Sequence, residues 1–244
     1  MFTWDLPQAY SRAVWLREMD YHVQAGGPAV KLMPDYLADV AECNRMAVDA
    51  LPWHNPAATF TSRGCIRRCP FCAVPKIEGD LMELDDWPVR PIVCDNNLLA
   101  CSVAHFDKVV DRLKPLSGID FNQGLDARLI DASVARKLAA LRWIRFVRLA
   151  CDSQAQKRPV ATAINNLRAA GYSGGIFCYV LVTDIDDALD RVEFLRGLKV
   201  DPFAQPFRAP DGTPPSKEQR RFARWVNHKA IFKTVKWNEY RTDM

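Results

Sequence analysis

Three cysteines fall within eight residues, Cys65-Ile-Arg-Arg-Cys69-Pro-Phe71-Cys72, directly after a short apolar, β-prone run that ends at Gly64. Any fold of this chain has to deliver a strand end, a tight exit and a short loop of thiols in that order. Thiolates at such spacing can turn inward from one loop and meet at a single soft-metal site. The loop is short, so bringing them together costs little closure entropy. Gly64 permits the tight exit, and Pro70 stiffens the segment between the second and third ligands. A four-coordinate site built on three thiolates has one position left for another ligand.

At 244 residues, with 49% hydrophobic and 25% charged, the chain suits one full domain with an appendage. It has no run of about 18 apolar residues, so no membrane span is expected. Its first residues, Met-Phe-Thr-Trp-Asp, lack the basic and apolar regions of a signal peptide. Eight cysteines in so large and hydrophobic a chain suit metal binding in a reducing cytoplasm better than a disulfide framework. The net charge of +4 is too mild to imply nucleic acid, which stays possible as a partner without being indicated.

From residue 58 onward, strand-like and helix-like segments alternate, the pattern of a parallel sheet built from βαβ units. Strands are expected at 58–61, 91–94, 118–122, 144–149, 175–182 and about 200–203. The first crossover carries Pro88 and Pro91, so its helix is expected to be one or two turns near 81–84. Longer helices are expected where Val103, Phe106, Val110 and Leu113 recur, around Val134, Leu138 and Leu141, from Pro159 to Gly171, and over 185–195. Ahead of this series, residues 1–57 read as a fragment of an α/β unit. It has a strand at 2–4, a helix over 8–19 and a strand at 21–25 that ends in Gly26-Gly27-Pro28. Behind it, Ser216 and Gln219 form a capping-box pattern, and Phe222, Trp225 and Val226 mark an apolar stripe. Between residues 217 and 241 there are eight Lys/Arg against two Glu. That charge fits a solvated helix face or a basic surface that receives an anionic substrate.

The C-x3-C-x2-C pattern, with an aromatic just before its last cysteine, resembles the signature of the radical S-adenosylmethionine (radical SAM) enzymes. The resemblance implies that Cys65, Cys69 and Cys72 hold three irons of a [4Fe-4S] cluster. The fourth iron then binds the amino and carboxylate groups of S-adenosylmethionine (SAM). It further implies an α/β fold, a partial (β/α)6 TIM-like barrel over 58–214, with a basic C-terminal helical extension at 215–244. Residues 1–57 are similar to the last part of a cobalamin-binding domain. They contain no Asp-x-His-x-x-Gly motif and are too few for a complete Rossmann-like unit. No cobalamin binding is therefore expected, His22 is expected to be a surface or packed histidine rather than a cobalt ligand, and the N-terminus is expected to pack on the side of the barrel. Methylthiotransferases have a similar cysteine loop, but here cysteines 43, 94, 101, 151 and 178 are scattered and form no second triad. The cobalamin-dependent branch is the nearer likeness, through Gly26-Gly27 and Asp95-Asn96-Asn97.

In a parallel α/β barrel the carboxyl ends of the strands share one mouth, where ligands gather. The resemblance places Asp95, Asn96 and Asn97, after the second strand, against the SAM ammonium. Asn122, Gln123 and Asp126 follow the third strand. It places Arg148, Asp152 and Ser153, in or just after the fourth, near the SAM ribose and carboxylate, and Phe71 near adenine. A carboxylate suits ribose hydroxyls because it accepts two strong hydrogen bonds; Asp-Asn-Asn is equally a common turn composition. The implied reaction is reductive cleavage of SAM to a 5'-deoxyadenosyl radical, which takes hydrogen from an unidentified substrate. An electron donor such as a flavodoxin or ferredoxin would serve it. No catalytic residue is singled out, since the cofactors carry this chemistry and the protein ligates, orients and excludes water. Two other readings stay open. One is a zinc-binding module that adds His54 or Cys94 to the three cysteines, and the other is an electron-transfer iron–sulfur protein without SAM chemistry.

Overall fold

In the computed structural model, which describes residues 5–43, 51–209 and 211–240, the apolar runs after residue 57 become strands. Six of them follow in chain order: Ala58–Thr59, Ile92–Val93, Asp120–Phe121, Phe146–Ala150, Gly175–Val182 and Asp201–Pro206. The first three form one parallel sheet and the last three another, each in sequential order. Parallel bridges from Ile119 to Trp143 and from Leu125 to Leu149 join the two. Among the described residues the first and sixth strands do not pair, so this mixed α/β fold contains no closed barrel.

Helices return the chain between strands, and their starts are written in the sequence. Ser102 caps Val103–Leu113, Asp131 caps Ala132–Ala139 and Asp184 caps Ile185–Gly197, each side chain accepting an orphan backbone N–H of the first turn. These helices and Lys157–Ala169 supply residues to the main core, which also takes in Val147, Leu149, Ile176, Cys178, Val180, Val182 and Ala204 from one face of the later sheet. The other face carries Phe146, Arg148, Phe177 and Tyr179, all half-buried, and Phe203, 36% exposed. A parallel sheet is usually covered on both faces. Here the second face is covered mainly by its own side chains: Phe146 stacks on Phe177 at 5.0 Å, and Tyr179 and Phe203 meet edge-on at 6.0 Å. Across this face Arg148 donates twice to Asp120, at 2.7 and 2.8 Å, tying the third strand to the fourth.

The short helix expected near 81–84 is absent. Met82–Glu83 instead pairs antiparallel with Ser62–Arg63, and Leu84 N–H donates to the Thr61 carbonyl at 3.0 Å. The free edge of the chain leaving the first strand offers hydrogen bonds that one isolated helical turn cannot match. The helical turn of this crossover lies earlier, at Val74–Ile77, where Pro75 sits in its first turn.

The helix Lys217–Asn227 has the expected capping box at Ser216 and Gln219. Phe222, Trp225 and Val226 carry it into the main core. Its last residue also closes the sheet. Asn227 Oδ1 accepts from Ala204 N–H at 2.8 Å, and Asn227 Nδ2 donates to the Ala204 carbonyl at 2.9 Å. One side-chain amide thus occupies the backbone groups with which a seventh strand would pair. Asn227→Ala is expected to lower the unfolding free energy by about 2 kcal/mol, because both groups lose a partner. A urea midpoint that does not move would show that water replaces the amide there.

The N-terminal residues gather around their own small cluster of Leu6, Ala13, Ala29, Val30, Leu37 and Val40. The helix here is Leu6–Glu18, and the strand expected at 21–25 shortens to Gln24–Ala25, paired parallel with Glu42–Cys43. The strand expected at 2–4 lies outside the described residues. His22 is exposed and lies 2.9 Å from Glu42. The helix Pro28–Leu32 packs on Val74–Ile77, and Lys31 Nζ donates to the Ile77 carbonyl at 3.0 Å. This N-terminal part therefore touches the chain just beyond Cys72. Among the described residues no helix is long and apolar enough to cross a membrane.

Candidate functional site

The cysteine loop is held at its neck by two acids, Asp95 buried and Glu78 half-buried. Asp95, at the end of the second strand, accepts from Thr61 N–H at 2.6 Å and from Ser62 Oγ at 2.8 Å, and also from the Thr61 hydroxyl. Buried His105 adds Nε2, 3.2 Å from the same Thr61 hydroxyl. Glu78 accepts from Arg63 at 2.7 Å, from Gly64 N–H at 2.9 Å and from Asn96 Nδ2 at 2.8 Å. Cys65 N–H donates to the Gly79 carbonyl at 3.3 Å, so residues 65–79 close on themselves.

Within the loop, Cys65 is buried and its Sγ accepts from Arg67 N–H at 3.3 Å and from Asn97 Nδ2 at 3.6 Å. Cys69 and Cys72 are half-buried, with Cys72 N–H on the Cys69 carbonyl at 3.0 Å. Burial pushes the Cys72 thiol up, the backbone at Val74 opposes it, and charge on Cys69, Cys65 and Asp152 pushes it up further. Cys72 therefore lies within electrostatic reach of Cys69, Cys65 and Asp152. A cation bound there would relieve that effect and favour the Cys72 thiolate.

The following strand ends supply partners. Asp126, after the third strand, has a side chain only 7% exposed and accepts from Arg67 Nε at 3.2 Å, from Asn97 Nδ2 at 3.4 Å and from Arg128 Nε and Nη2 at 2.6 and 3.0 Å. Burial alone would raise its carboxyl, but the Arg128 hydrogen bonds and charge outweigh it and hold it below the usual range. The hydrogen bond to Asp126 raises Arg128 against the effect of burial, and charge on Asp126, Cys69 and Cys65 adds to the rise. Asn97 is buried, and its Oδ1 has no hydrogen-bond partner. Such an orphan acceptor is uncommon in a folded chain.

The expected contacts divide into two sets. Asn97 Nδ2 touches both Cys65 and Asp126, and Cys72 lies within electrostatic reach of Cys69, Cys65 and Asp152. Asp152 Oδ1 accepts from Leu181 N–H at 2.8 Å, and burial raises its carboxyl while Arg191 and Arg128 pull it back. Asp95 is turned toward Thr61 and Ser62, and Asn96 toward Glu78. Phe71 is half-buried in the turn before Cys72, and Ser153 is exposed ahead of the turn Gln154–Gln156. Glu78 and Arg128 were not anticipated. Glu78 follows a helical turn of four residues and carries no local signal, whereas Arg128 stands two residues from an acid already singled out.

Among the described residues no three His, Cys, Asp or Glu side chains are gathered as a single metal ion requires. His54 is exposed in Leu51–His54, ahead of the first strand and at the end opposite the loop. Cys94 is buried, with Asn122 as its hydrogen-bond partner. All eight cysteines are free. A polynuclear cluster takes one thiolate per iron and so needs its sulfurs spread apart rather than converged on one ion. Three thiols on one loop, two N–H donors to Cys65 and two flanking guanidiniums make a donor set that fits such an anionic group.

No protein-family model matches the chain, and no curated protein does. Among solved structures the chain is similar to Streptococcus suis SuiB bound to the precursor peptide SuiA, at 13% identity and a TM-score of 0.49. The match covers 83% of this chain and 58% of that one. A likeness that slight carries no argument. The functional reading therefore rests on the residues themselves.

Proposed function

We propose that this chain is a radical SAM enzyme in which Cys65, Cys69 and Cys72 hold a [4Fe-4S] cluster and the adjoining strand ends bind SAM. One observation carries the reading: the cysteine loop meets the ends of the second and third strands at Asn97, whose Nδ2 contacts Cys65 Sγ while its buried Oδ1 has no donor. A buried acceptor without a partner costs about 1–3 kcal/mol, and the ammonium of an amino acid bound at the loop would supply one. When bound, the cluster and SAM supply an electron and the 5'-deoxyadenosyl radical that removes hydrogen from a substrate carbon.

The chain's own residues bind, orient and exclude water. Asp152 offers a carboxylate to the ribose hydroxyls, Ser153 stands beside it, and Phe71 offers its ring to adenine. Asp95 and Asn96 act one step back, by fixing the ends of the loop. The six parallel strands are read as a (β/α)6 barrel left open, spanning residues 58–214. Residues 1–57 form an α/β remnant without cobalamin, and 215–244 a C-terminal helical part. The substrate is unidentified and the electron donor is a flavodoxin- or ferredoxin-like protein of the cytoplasm.

Anaerobic reconstitution with iron and sulfide, followed by dithionite and SAM, tests this directly. Iron with acid-labile sulfide should be retained, methionine and 5'-deoxyadenosine should appear, and SAM should perturb the electron paramagnetic resonance spectrum of the reduced protein. Asn97→Ala is expected to keep its iron while binding SAM about tenfold more weakly. A spectrum indifferent to saturating SAM would make this an electron-transfer protein. Zinc in place of iron and sulfide would exclude both.

A further inference from the structure

Two guanidiniums and one carboxylate flank the cysteine loop. Arg67 comes from the loop itself, while Asp126 and Arg128 come from the turn after the third strand. Asp126 faces both arginines and the Asn97 amide, so it cannot neutralise both positive charges. One unit of positive charge is left over. It is only partly screened by solvent, because the Asp126 side chain is 7% exposed while the Arg128 and Arg67 side chains are 32% and 33% exposed. The pair is tied to the sulfurs by contact, since Arg128 bonds Asp126, which holds the Asn97 amide against Cys65 Sγ, and charge on Cys69 and Cys65 adds to the rise in Arg128.

We propose that Arg128 and Asp126 are an opposed pair of positioning residues that set the reduction potential of the group held by Cys65, Cys69 and Cys72. The inference rests on the cluster reading above. Reduction adds one electron, so a fixed positive charge beside the sulfurs favours the reduced state and a negative charge disfavours it. Arg128 is the residue through which to test this. Arg67 lies between two of the ligands and its backbone N–H binds Cys65, so altering it entangles ligation with charge. Arg128 reaches the site from another loop, with its guanidinium on Asp126. Asp126 also holds the Asn97 amide between itself and Cys65, at 3.4 and 3.6 Å, so the same acid keeps the N–H to sulfur contact in place.

The test is a redox titration of the reconstituted protein without SAM, followed by electron paramagnetic resonance, with iron content measured for every variant. At the midpoint of the unaltered protein, Arg128→Met should show a reduced-to-oxidised ratio about tenfold lower, equivalent to about 59 mV for a one-electron couple. Arg128→Lys, which keeps the charge, should stay near the unaltered value. Asp126→Asn, which keeps the side-chain cap of its turn, should move the midpoint the opposite way. Opposite signs are a signature that loosening of the loop would not give. Full iron content with unmoved midpoints, or a shift of the same sign in Arg128→Met and Asp126→Asn, overturns the inference and leaves the cluster reading standing. Should Arg128→Met fail to hold iron, Asp126→Asn decides alone, and an unmoved or more negative midpoint overturns the inference. Absence of iron and sulfide from the unaltered protein overturns both.

Discussion

Single replacement of Cys65, Cys69 or Cys72 by alanine is expected to give colourless protein that holds no iron–sulfur group and cleaves no SAM. The loss should be complete rather than graded, because two thiolates remain for three irons and the loop offers no substitute. Cysteines outside the loop make the contrast. Burial pushes the Cys101 and Cys151 thiols up to about 11 and raises Cys178 well above its ordinary value. At neutral pH these side chains stay protonated, and a protonated thiol is a poor ligand. Cys72 is also raised, but part of its rise comes from charge on Cys65 and Cys69, which metal binding would remove. Alanine at Cys94, Cys101, Cys151 or Cys178 is therefore expected to leave the iron content unchanged. The measurement is iron and acid-labile sulfide per chain after anaerobic reconstitution. A full complement in Cys65→Ala would overturn the ligand assignment.

The parts of this molecule that were legible in the sequence are those whose cause is local. The run 175–182 reads as a strand because eight apolar-rich residues stand between a glycine and an Asp-capped helix, and the structure has the strand Gly175–Val182. Ser216 and Gln219 name their helix start unaided. The segment near 81–84 misled because Leu81 and Leu84 have the spacing of a helical turn, while its pairing partner, Ser62–Arg63, lies about twenty residues away. The same division runs through the site. The cysteines advertise themselves, and Asn97 follows from its place after a strand. Glu78 and Arg128 gain their roles only where separate loops meet, and Asn227 only because its amide reaches the edge of the sixth strand. No periodicity or motif records such meetings.

Gly64→Ala is expected to abolish iron binding while leaving the main core folded, although it adds only one methyl group. Gly64 has φ of +72°, where an L-residue is strained by about 1–2 kcal/mol. Strain alone would be tolerable. The larger obstacle is contact: an added Cβ would stand 2.6 Å from the Asp80 carbonyl carbon, closer still to its oxygen, and 2.9 Å from the Gly79 oxygen. These are backbone atoms, so no rotamer change relieves the clash, and residues 64 and 79–80 must separate. Their separation removes the Cys65 N–H bond to Gly79 and the Gly64 N–H bond to Glu78. With them goes the neck that sets where the three thiols stand. Gly79→Ala is the control, because Gly79 has a similar φ of +79° but nothing within 4 Å of an added Cβ. It should lose about 1 kcal/mol of stability and keep its iron. Circular dichroism and urea unfolding check that both variants fold, and iron and sulfide content separates them. Equal iron in the two variants would mean that the loop neck does not govern ligation.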